Sequence, residues 1–376
     1  MEYRSTEPRL SAYLHARACA KGIPLAGNFE LTPRCNFNCR MCYVHLTPEE
    51  EQRRGTELTA DEWLAIAEQA RRQGMLFLLL TGGEPLIRAD FRYLLTELKK
   101  MGLMVSINSN ASLMDADWLD FFRHEPPARF NITLYGSSNE TYERLCGRPM
   151  FERVMANIRA LKALGMDVKL NVSMTPYNVD DLDGIYAAAT ELGTPVQMAS
   201  YMFPPVRRDE ALTGRNDRFT CREAAACSVH WDRLRFTDEE FRQRAEAMKA
   251  GICAPDSDVC EGTPGEKMAC RAGRSSFWIN WRGDMTPCGM MLQPVVSVRE
   301  LGFARAWEET KAATAQIRLP SACAQCGYQH MCHACAAMCV TETGAFDGKP
   351  EYVCGMTKAT AELTQAEYER MNTHEA

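Results

Sequence analysis

Hydrophobic and polar positions along the chain keep changing period. A helical period covers residues 9–21 and stops at Gly22 and Pro24. Residues 28–32 read as a short strand. Thr59 opens a helix over 59–73, with Asp61 and Glu62 in its first turn and Gly74 past its end, as capping and dipole preferences require. Residues 75–80 are a continuous apolar run of strand length, the pattern of a parallel strand covered on both faces. The series continues with a helix over 88–101, a strand over 103–107, a helix over 114–123 and a strand over 129–134. Helices over 139–145 and 151–164, a strand over 167–174, a helix over 179–191 and a strand over 195–201 complete it. Six strands separated by helices predict right-handed crossovers and a parallel sheet, open or curved into a partial barrel. Such sheets bind ligands at the C-terminal ends of their strands.

After Met202 the pattern breaks down. Phe203-Pro-Pro-Val-Arg207-Arg208-Asp209 is a loop with two arginines suited to a carboxylate, and 237–250 is a charged helix expected to bridge two domains. Beyond Gly251 the chain is turn-rich. A short alternating piece from Ser276 to Trp281, followed by Arg282-Gly283-Asp284, predicts a β-hairpin, and a helix over 356–371 closes the chain. The resulting division is an N-terminal segment 1–27, a barrel 28–235, a bridging helix 236–254, a cysteine-rich domain 255–358 and a terminal helix 359–376.

Composition adds constraints. The 376 residues are 46% hydrophobic and 24% charged with a formal charge of −6, ordinary for a globular protein and poor for a general nucleic-acid or anionic-membrane binder. No apolar run approaches the roughly eighteen residues of a membrane span, and the start Met1-Glu-Tyr-Arg-Ser lacks a signal-peptide pattern, so the expected location is the cytoplasm. Seventeen cysteines are hard to explain there as disulfides, because cytosolic thiols are kept reduced. Metal ligation explains them better. Three lie at positions 35–42 and ten between Cys253 and Cys354.

The first group, Cys35-x3-Cys39-x2-Cys42, follows the first strand. Three thiols on one loop suit a four-iron cluster with one iron left open, and zinc completed by a distant fourth ligand is the alternative. Thr81-Gly82-Gly83-Glu84-Pro85 breaks the second strand at its C-terminal end. Together these motifs resemble the radical S-adenosylmethionine (SAM) superfamily. The resemblance implies that Cys35, Cys39 and Cys42 hold the cluster, whose open iron binds SAM, and that one electron cleaves SAM to a 5′-deoxyadenosyl radical that abstracts a hydrogen atom. It implies SAM contacts at Gly82, Gly83, Glu84 and Pro85, the glycines letting the backbone approach the methionyl amino group. Further contacts follow at Asn108, Asn110 and Thr133, with Tyr43 near adenine. Relatives carry an arginine for the SAM carboxylate where this chain has Cys146; Arg144 or Arg148 is the substitute.

The later cysteines resemble the SPASM domain with its two auxiliary four-iron clusters. The resemblance implies Cys270 and Cys288, with Cys260 and either Cys335 or Cys339, for the first, and Cys323, Cys326, Cys332 and Cys354 for the second. Cys335 has the nearer offset. Gly283 would form the turn that brings Cys270 and Cys288 together. Zinc ribbons use similar pairs, and His330 and His333 stand beside them. Gly289 follows Cys288 where sulfatase maturases tend to have a base, which points away from that subgroup.

The expected fold is therefore α/β, a partial (β/α)6 TIM-like barrel followed by a small cysteine-rich SPASM domain. The expected function is radical modification of a peptide or protein side chain by oxidation, cross-linking or epimerisation, with three four-iron clusters and SAM as cofactors. The alternatives are a small-molecule dehydrogenase or epimerase and, outside enzymes, an iron–sulfur electron carrier or scaffold. Expected partners are a flavodoxin- or ferredoxin-type reductant and, for a peptide substrate, a separate leader-binding protein, with neither nucleic acid nor membrane involved.

Overall fold

The computed structural model describes residues 10–251 and 267–373. Its strands are β1 (Ala26–Glu30), β2 (Phe77–Thr81), β3 (Met104–Ser109), β4 (Arg129–Thr133), β5 (Val168–Ser173), β6 (Val196–Ala199), β7 (Ser276–Ile279), β8 (Asp284–Thr286) and β9 (Val296–Ser297). They form one sheet in the order β6-β5-β4-β3-β2-β1-β7-β8-β9. β1 to β6 are all parallel and alternate with helices, giving the partial barrel that the period changes predict.

Each strand's side chains divide by alternation. Val105 and Ile107 of β3, Phe130 and Ile132 of β4, and Val168, Leu170 and Val172 of β5 are buried in the main apolar core. Between them Ser106, Asn108, Asn131, Thr133, Asn171 and Ser173 are half-buried on the other face. The barrel thus has an apolar outer layer under its helices and a polar inner wall. Capping starts the helices where expected. Thr59 and Glu62 form a reciprocal capping box ahead of helix Ala60–Arg72, whose Trp63, Ile66, Ala67 and Ala70 turn into the core.

The cysteine-rich segment is not laid out as a separate sheet. The expected hairpin forms, with Trp278 opposite Thr286, but its first strand also pairs in parallel with β1, from Ala26 opposite Ser276 to Phe29 opposite Ile279. Without β7 the outer edge of β1 would present a row of unpaired amides and carbonyls, and edge pairing removes that cost. Apolar packing seals the joint. Phe277 is fully buried among Phe29, Phe303 and Trp307, with ring centroids 5.0–6.5 Å away.

Further helices add to the expected set, among them Pro48–Arg54 behind a capping box of Thr47 and Glu50. Cys221–Arg235 opens on a capping box of Thr220 and Glu223, Phe303–Ala315 buries Phe303, Ala306, Trp307, Thr310 and Thr314, and Ala336–Thr343 follows Cys335. The terminal helix spans Glu351–Thr373, starting before the expected residue 356, and therefore carries Cys354. It packs along Cys221–Arg235, and Asp238–Lys249, the expected bridge, packs against both.

Phe277 makes the joint testable. Phe277→Ala should cost about 3–5 kcal/mol, the usual range for emptying a buried aromatic site. Equilibrium denaturation measures it, and a loss below about 1 kcal/mol, typical of a surface position, would show that β7 is not packed as described.

Candidate cluster and cofactor site

The C-terminal ends of β1 and β2 do not stop at the sheet. Beyond it Leu31 N donates to Thr81 O (2.8 Å), Gly83 N to Thr32 O (2.8 Å) and Glu84 N to Arg34 O (2.9 Å), so the two connecting loops remain zipped as they leave the strands. This zipper requires the two glycines. Gly82 sits at φ +152°, and a Cβ there would stand 2.5 Å from Thr32 O; at Gly83 it would stand 2.2 Å from Arg34 O and 3.0 Å from Cys35 Cβ. The backbone that closes on these glycines is that of the cysteine loop.

Glu84 turns inward. It is fully buried, accepting from Asn110 N (2.8 Å), Leu86 N (3.2 Å) and Ser109 Oγ (3.0 Å), and so ties the loop after β2 to the end of β3. Burial pushes its carboxyl up to about 7, against those hydrogen bonds, which favour the ionised form. Its side chain ties the scaffold together at this point. Pro85 is also buried, opening a short 3-10 turn.

The three thiols are surrounded by hydrogen-bond donors. Phe37 N points at Cys35 Sγ (3.4 Å), Asn110 Nδ2 at Cys35 Sγ (3.8 Å) and His45 N at Cys42 Sγ (3.2 Å). Asn110 is itself oriented by Ser112 and Asn36. Cys39 is buried, and hydrogen bonds from Cys146 and Tyr135 favour its thiolate. Burial pushes Cys35 up to about 12 and raises Cys42. Among the described residues no three His, Cys, Asp or Glu side chains converge on a point that would grip a single metal ion. A four-iron cube asks for something else, one thiolate at each of three separate corners with donors to the sulfurs, and this loop fits it.

Next to the loop lies a group that the sequence does not announce. Glu30, at the end of β1 and 0% exposed, accepts from Arg207 Nη2 (2.7 Å) and Trp278 Nε1 (3.1 Å). Arg207 also donates to Gly289 O (3.1 Å), and its guanidinium carbon lies 5.5 Å from the centre of the Tyr43 ring. Tyr43 is thus packed under an arginine, and burial raises its phenol above the ordinary range. Arg208 donates to Cys42 O (3.5 Å), while Arg54 donates to the carbonyls of Arg207 and Arg208. The paired arginines of the loop after β6 therefore fasten it over the cysteine loop; Arg207 spends its charge on Glu30. Only the arginine pair was visible in the sequence, since Glu30 and Trp278 become neighbours through the β1–β7 pairing.

Other expected SAM contacts fall on the inner wall. Asn108 accepts from Asn131 Nδ2 (2.9 Å) and reaches towards Thr81 Oγ1 (3.5 Å), and Thr133 is half-buried at the end of β4. Arg144 is exposed, with Nε on Tyr177 O (2.8 Å), linking its helix to the loop after β5. Cys146, in the position where relatives have arginine, is fully buried against Cys39.

The C-terminal thiols form two neighbourhoods. Burial pushes Cys288 up to about 11, and its thiol neighbours Cys335 and Cys270 act in the same direction. Cys323 and Cys354 are each raised by burial and by Cys332; Cys326 adds to Cys323, and Thr357 Oγ1 lies 3.6 Å from Cys332 Sγ. Cys339, pushed up to about 12 by burial, feels Cys335 as well as Cys323, Cys354 and Cys332, and so lies between the two groups. Cys260 lies outside the described residues. His330 Nε2 is held by Met248 O (3.0 Å), tying this segment to helix Asp238–Lys249. Cys288, Cys323, Cys326, Cys332, Cys335, Cys339 and Cys354 form no disulfide.

The profile of the radical SAM superfamily matches residues 29–189. Residues 29–189 form a radical SAM domain. That family implies a four-iron cluster and SAM, and the Cys35, Cys39 and Cys42 loop lies within the matched residues. Across most of its length the chain is 25% identical, over 337 residues, to the AdoMet-dependent heme synthase of Methanosarcina barkeri, covering 85% of this chain and 93% of that protein. In structure it is similar to Streptococcus suis SuiB bound to its precursor peptide SuiA, with a TM-score of 0.65 at 18% identity, covering 94% of this radical SAM enzyme and 84% of SuiB. It is also similar to native anSMEcpe with bound AdoMet, with a TM-score of 0.68 at 15% identity over 94% and 100% of the two chains. Both likenesses establish a shared fold that extends through the cysteine-rich half.

Two measurements follow from this geometry. Gly83→Ala should destabilise the zipper by about 1–3 kcal/mol, the cost of overpacking, and lower iron incorporation on reconstitution; unchanged loading would refute the close approach. For Glu84, the unfolded carboxyl loses its proton near 4.5 and the folded one near 7. Between these values the folded state binds more protons, so stability falls as pH rises, by on the order of 3 kcal/mol in all. Denaturation midpoints across that window should show the fall, and Glu84→Gln should remove it.

Proposed function

We propose that this radical SAM enzyme modifies a carbon of a peptide or protein side chain, with Cys35, Cys39 and Cys42 holding the SAM-binding cluster and the C-terminal thiols holding two auxiliary four-iron clusters. Cys270, Cys288 and Cys335 would serve the first, with Cys260 or Cys339 completing it, and Cys323, Cys326, Cys332 and Cys354 the second. The observation that carries the reading is the zipped rim, where the thiols, the donors aimed at their sulfurs and the polar strand ends of β3 and β4 share one end of an open sheet. When bound, the cluster and SAM supply a carbon-centred radical able to take a hydrogen atom from an unactivated carbon.

The protein's own residues supply placement. Buried thiols that are protonated when metal-free must shed protons to ligate iron, which couples cluster assembly to pH. Asn110 and the amides of Phe37 and His45 orient the sulfurs, and the apolar layer behind β1 to β3 keeps water from the loop. Asn108, Thr133 and the Gly82-Gly83 backbone remain the groups to hold SAM. A peptide substrate is supported by the fold shared with SuiB, solved with a precursor peptide. A flavodoxin- or ferredoxin-type protein would bring the electron, and a separate leader-binding protein is a further candidate partner.

A second reading, radical oxidation of a small molecule, is favoured by the heme synthase relative, which aligns over 93% of its length. The two are separable. Protein reconstituted anaerobically should hold about twelve irons if all three clusters form, and with reductant and SAM should release 5′-deoxyadenosine. Cys39→Ala should abolish that release, and persistent release would refute the loop's role. Mass spectrometry of candidate peptides and of a tetrapyrrole panel after turnover then decides the substrate: a mass change confined to the tetrapyrroles would replace the peptide reading.

A further inference from the structure

We infer that Arg207 is a shared positioning charge that sets the reduction potentials of two metal sites at once, that of Cys35, Cys39 and Cys42 and that of Cys270, Cys288 and Cys335, with Glu30 as its counterweight. This rests on the proposal that both thiol groups hold iron–sulfur clusters. The β1–β7 pairing seats Trp278 beside Glu30, and the stretch after β8 that carries Cys288 lies against the Trp278 indole. Arg207 stands at the seam. Its Nη1 donates to the carbonyl of Gly289, the residue after Cys288, and its guanidinium lies over Tyr43, the residue after Cys42. Its neighbour Arg208 donates to the carbonyl of Cys42 itself.

The other groups around it are Glu30, at 2.7 Å, and Trp278, whose indole N–H is already given to the second oxygen of Glu30. The side chain of Glu30 is 0% exposed and that of Arg207 14% exposed, so little water screens either charge. The guanidinium keeps its charge at any working pH, and the ion pair with Glu30 holds it in place. A positive charge beside a cluster makes an added electron more favourable, and a negative one makes it less so. Gly289 permits the arrangement, because a Cβ there would lie 2.7 Å from the Trp278 indole that holds Glu30 in place.

The test is an anaerobic redox titration of the reconstituted enzyme with dithionite, followed by electron paramagnetic resonance, with iron content measured on each variant. Cys288→Ala identifies the transition that belongs to the second site. Arg207→Met should move both midpoint potentials down and Glu30→Gln should move both up, while the double substitution should return them towards wild type. Arg207→Lys, which keeps the charge, should leave them near wild type. Opposite signs from two partners of one ion pair are what a charge effect produces; a merely structural role would move both variants the same way. Shifts of the same sign, or a shift confined to one transition, would overturn the inference. If Arg207→Met fails to load iron, Glu30→Gln against Arg207→Lys carries the same test of sign. A wild-type protein with a single transition and iron content unaffected by Cys288→Ala would remove the two-cluster reading, and this inference with it.

Discussion

Everything at the functional end depends on two stretches of backbone approaching closer than any side chain would allow. The loop leaving β1 and the loop leaving β2 continue the strands' hydrogen bonding past the sheet, and Gly82 and Gly83 are where they meet. The contact fixes the height and tilt of the cysteine loop above the barrel. Glu84 then carries the constraint sideways, because its carboxylate gathers the backbone of Asn110 and the hydroxyl of Ser109 at the end of β3. Asn110 in turn aims its amide at Cys35. One close approach is thus propagated through a buried carboxylate to the surroundings of the Cys35 thiol.

The same logic of shared edges organises the second half. A cysteine-rich segment with little apolar material cannot hold a position through a core of its own, and its small cluster around Met291, Ile317, Ala336 and Ala337 is modest. It is held instead by the sheet, through β7, and by two buried ion pairs. Glu30 with Arg207 joins the barrel, the loop after β6 and the Cys288 loop. Arg218 with Glu342, at 2.5 Å, joins the same post-barrel stretch to the helix that carries Cys339, and the guanidinium lies 3.6 Å from the centre of the Tyr352 ring, two residues before Cys354. Desolvating such pairs offsets much of their attraction, so their net contribution to stability is small. Their directionality is what matters here, because losing either partner would strand a buried charge.

Local patterns made the barrel legible. Period changes, capping boxes and turn residues are short-range signals, and every strand of β1 to β6 lies within a few residues of its expected place. Two missed helices had signals as well: Thr220 and Glu223 stand at capping-box spacing, and Phe303, Ala306, Trp307, Thr310 and Thr314 recur at helical intervals. The cysteine loop and the double glycine were equally plain, although the reason for the glycines was not, because it lies in a backbone 50 residues upstream. What could not be read was anything created by long-range pairing. Nothing in Ser276–Ile279 says that it will seat against β1 rather than close a sheet of its own, so Glu30 and Trp278 gave no sign of being neighbours. Arg144 and Tyr43 illustrate the same limit, since their partners, Tyr177 and Arg207, come from distant loops.

Joining both thiol groups through Arg207 has a consequence for how such a chain can handle charge. A metal site that gains and loses electrons is best surrounded by dipoles that need not reorganise, and this rim offers them: amides fixed by the loop zipper, side-chain amides locked in mutual hydrogen bonds, and one arginine clamped by a carboxylate and a carbonyl. None of these groups is on a free surface loop, and each is oriented by a second residue. The polar inner wall of β3 to β5 extends the same property into the barrel, where Asn108 and Asn131 bond to each other across strands. Along that wall Asn108, Asn131, Thr133 and Asn171 are neutral donors and acceptors, while the Glu30–Arg207 pair stands apart from them, against Gly289 and Tyr43. That separation suits an enzyme that generates a radical at one end of a sheet and must keep both electrons and water away from everything except the carbon it is aimed at.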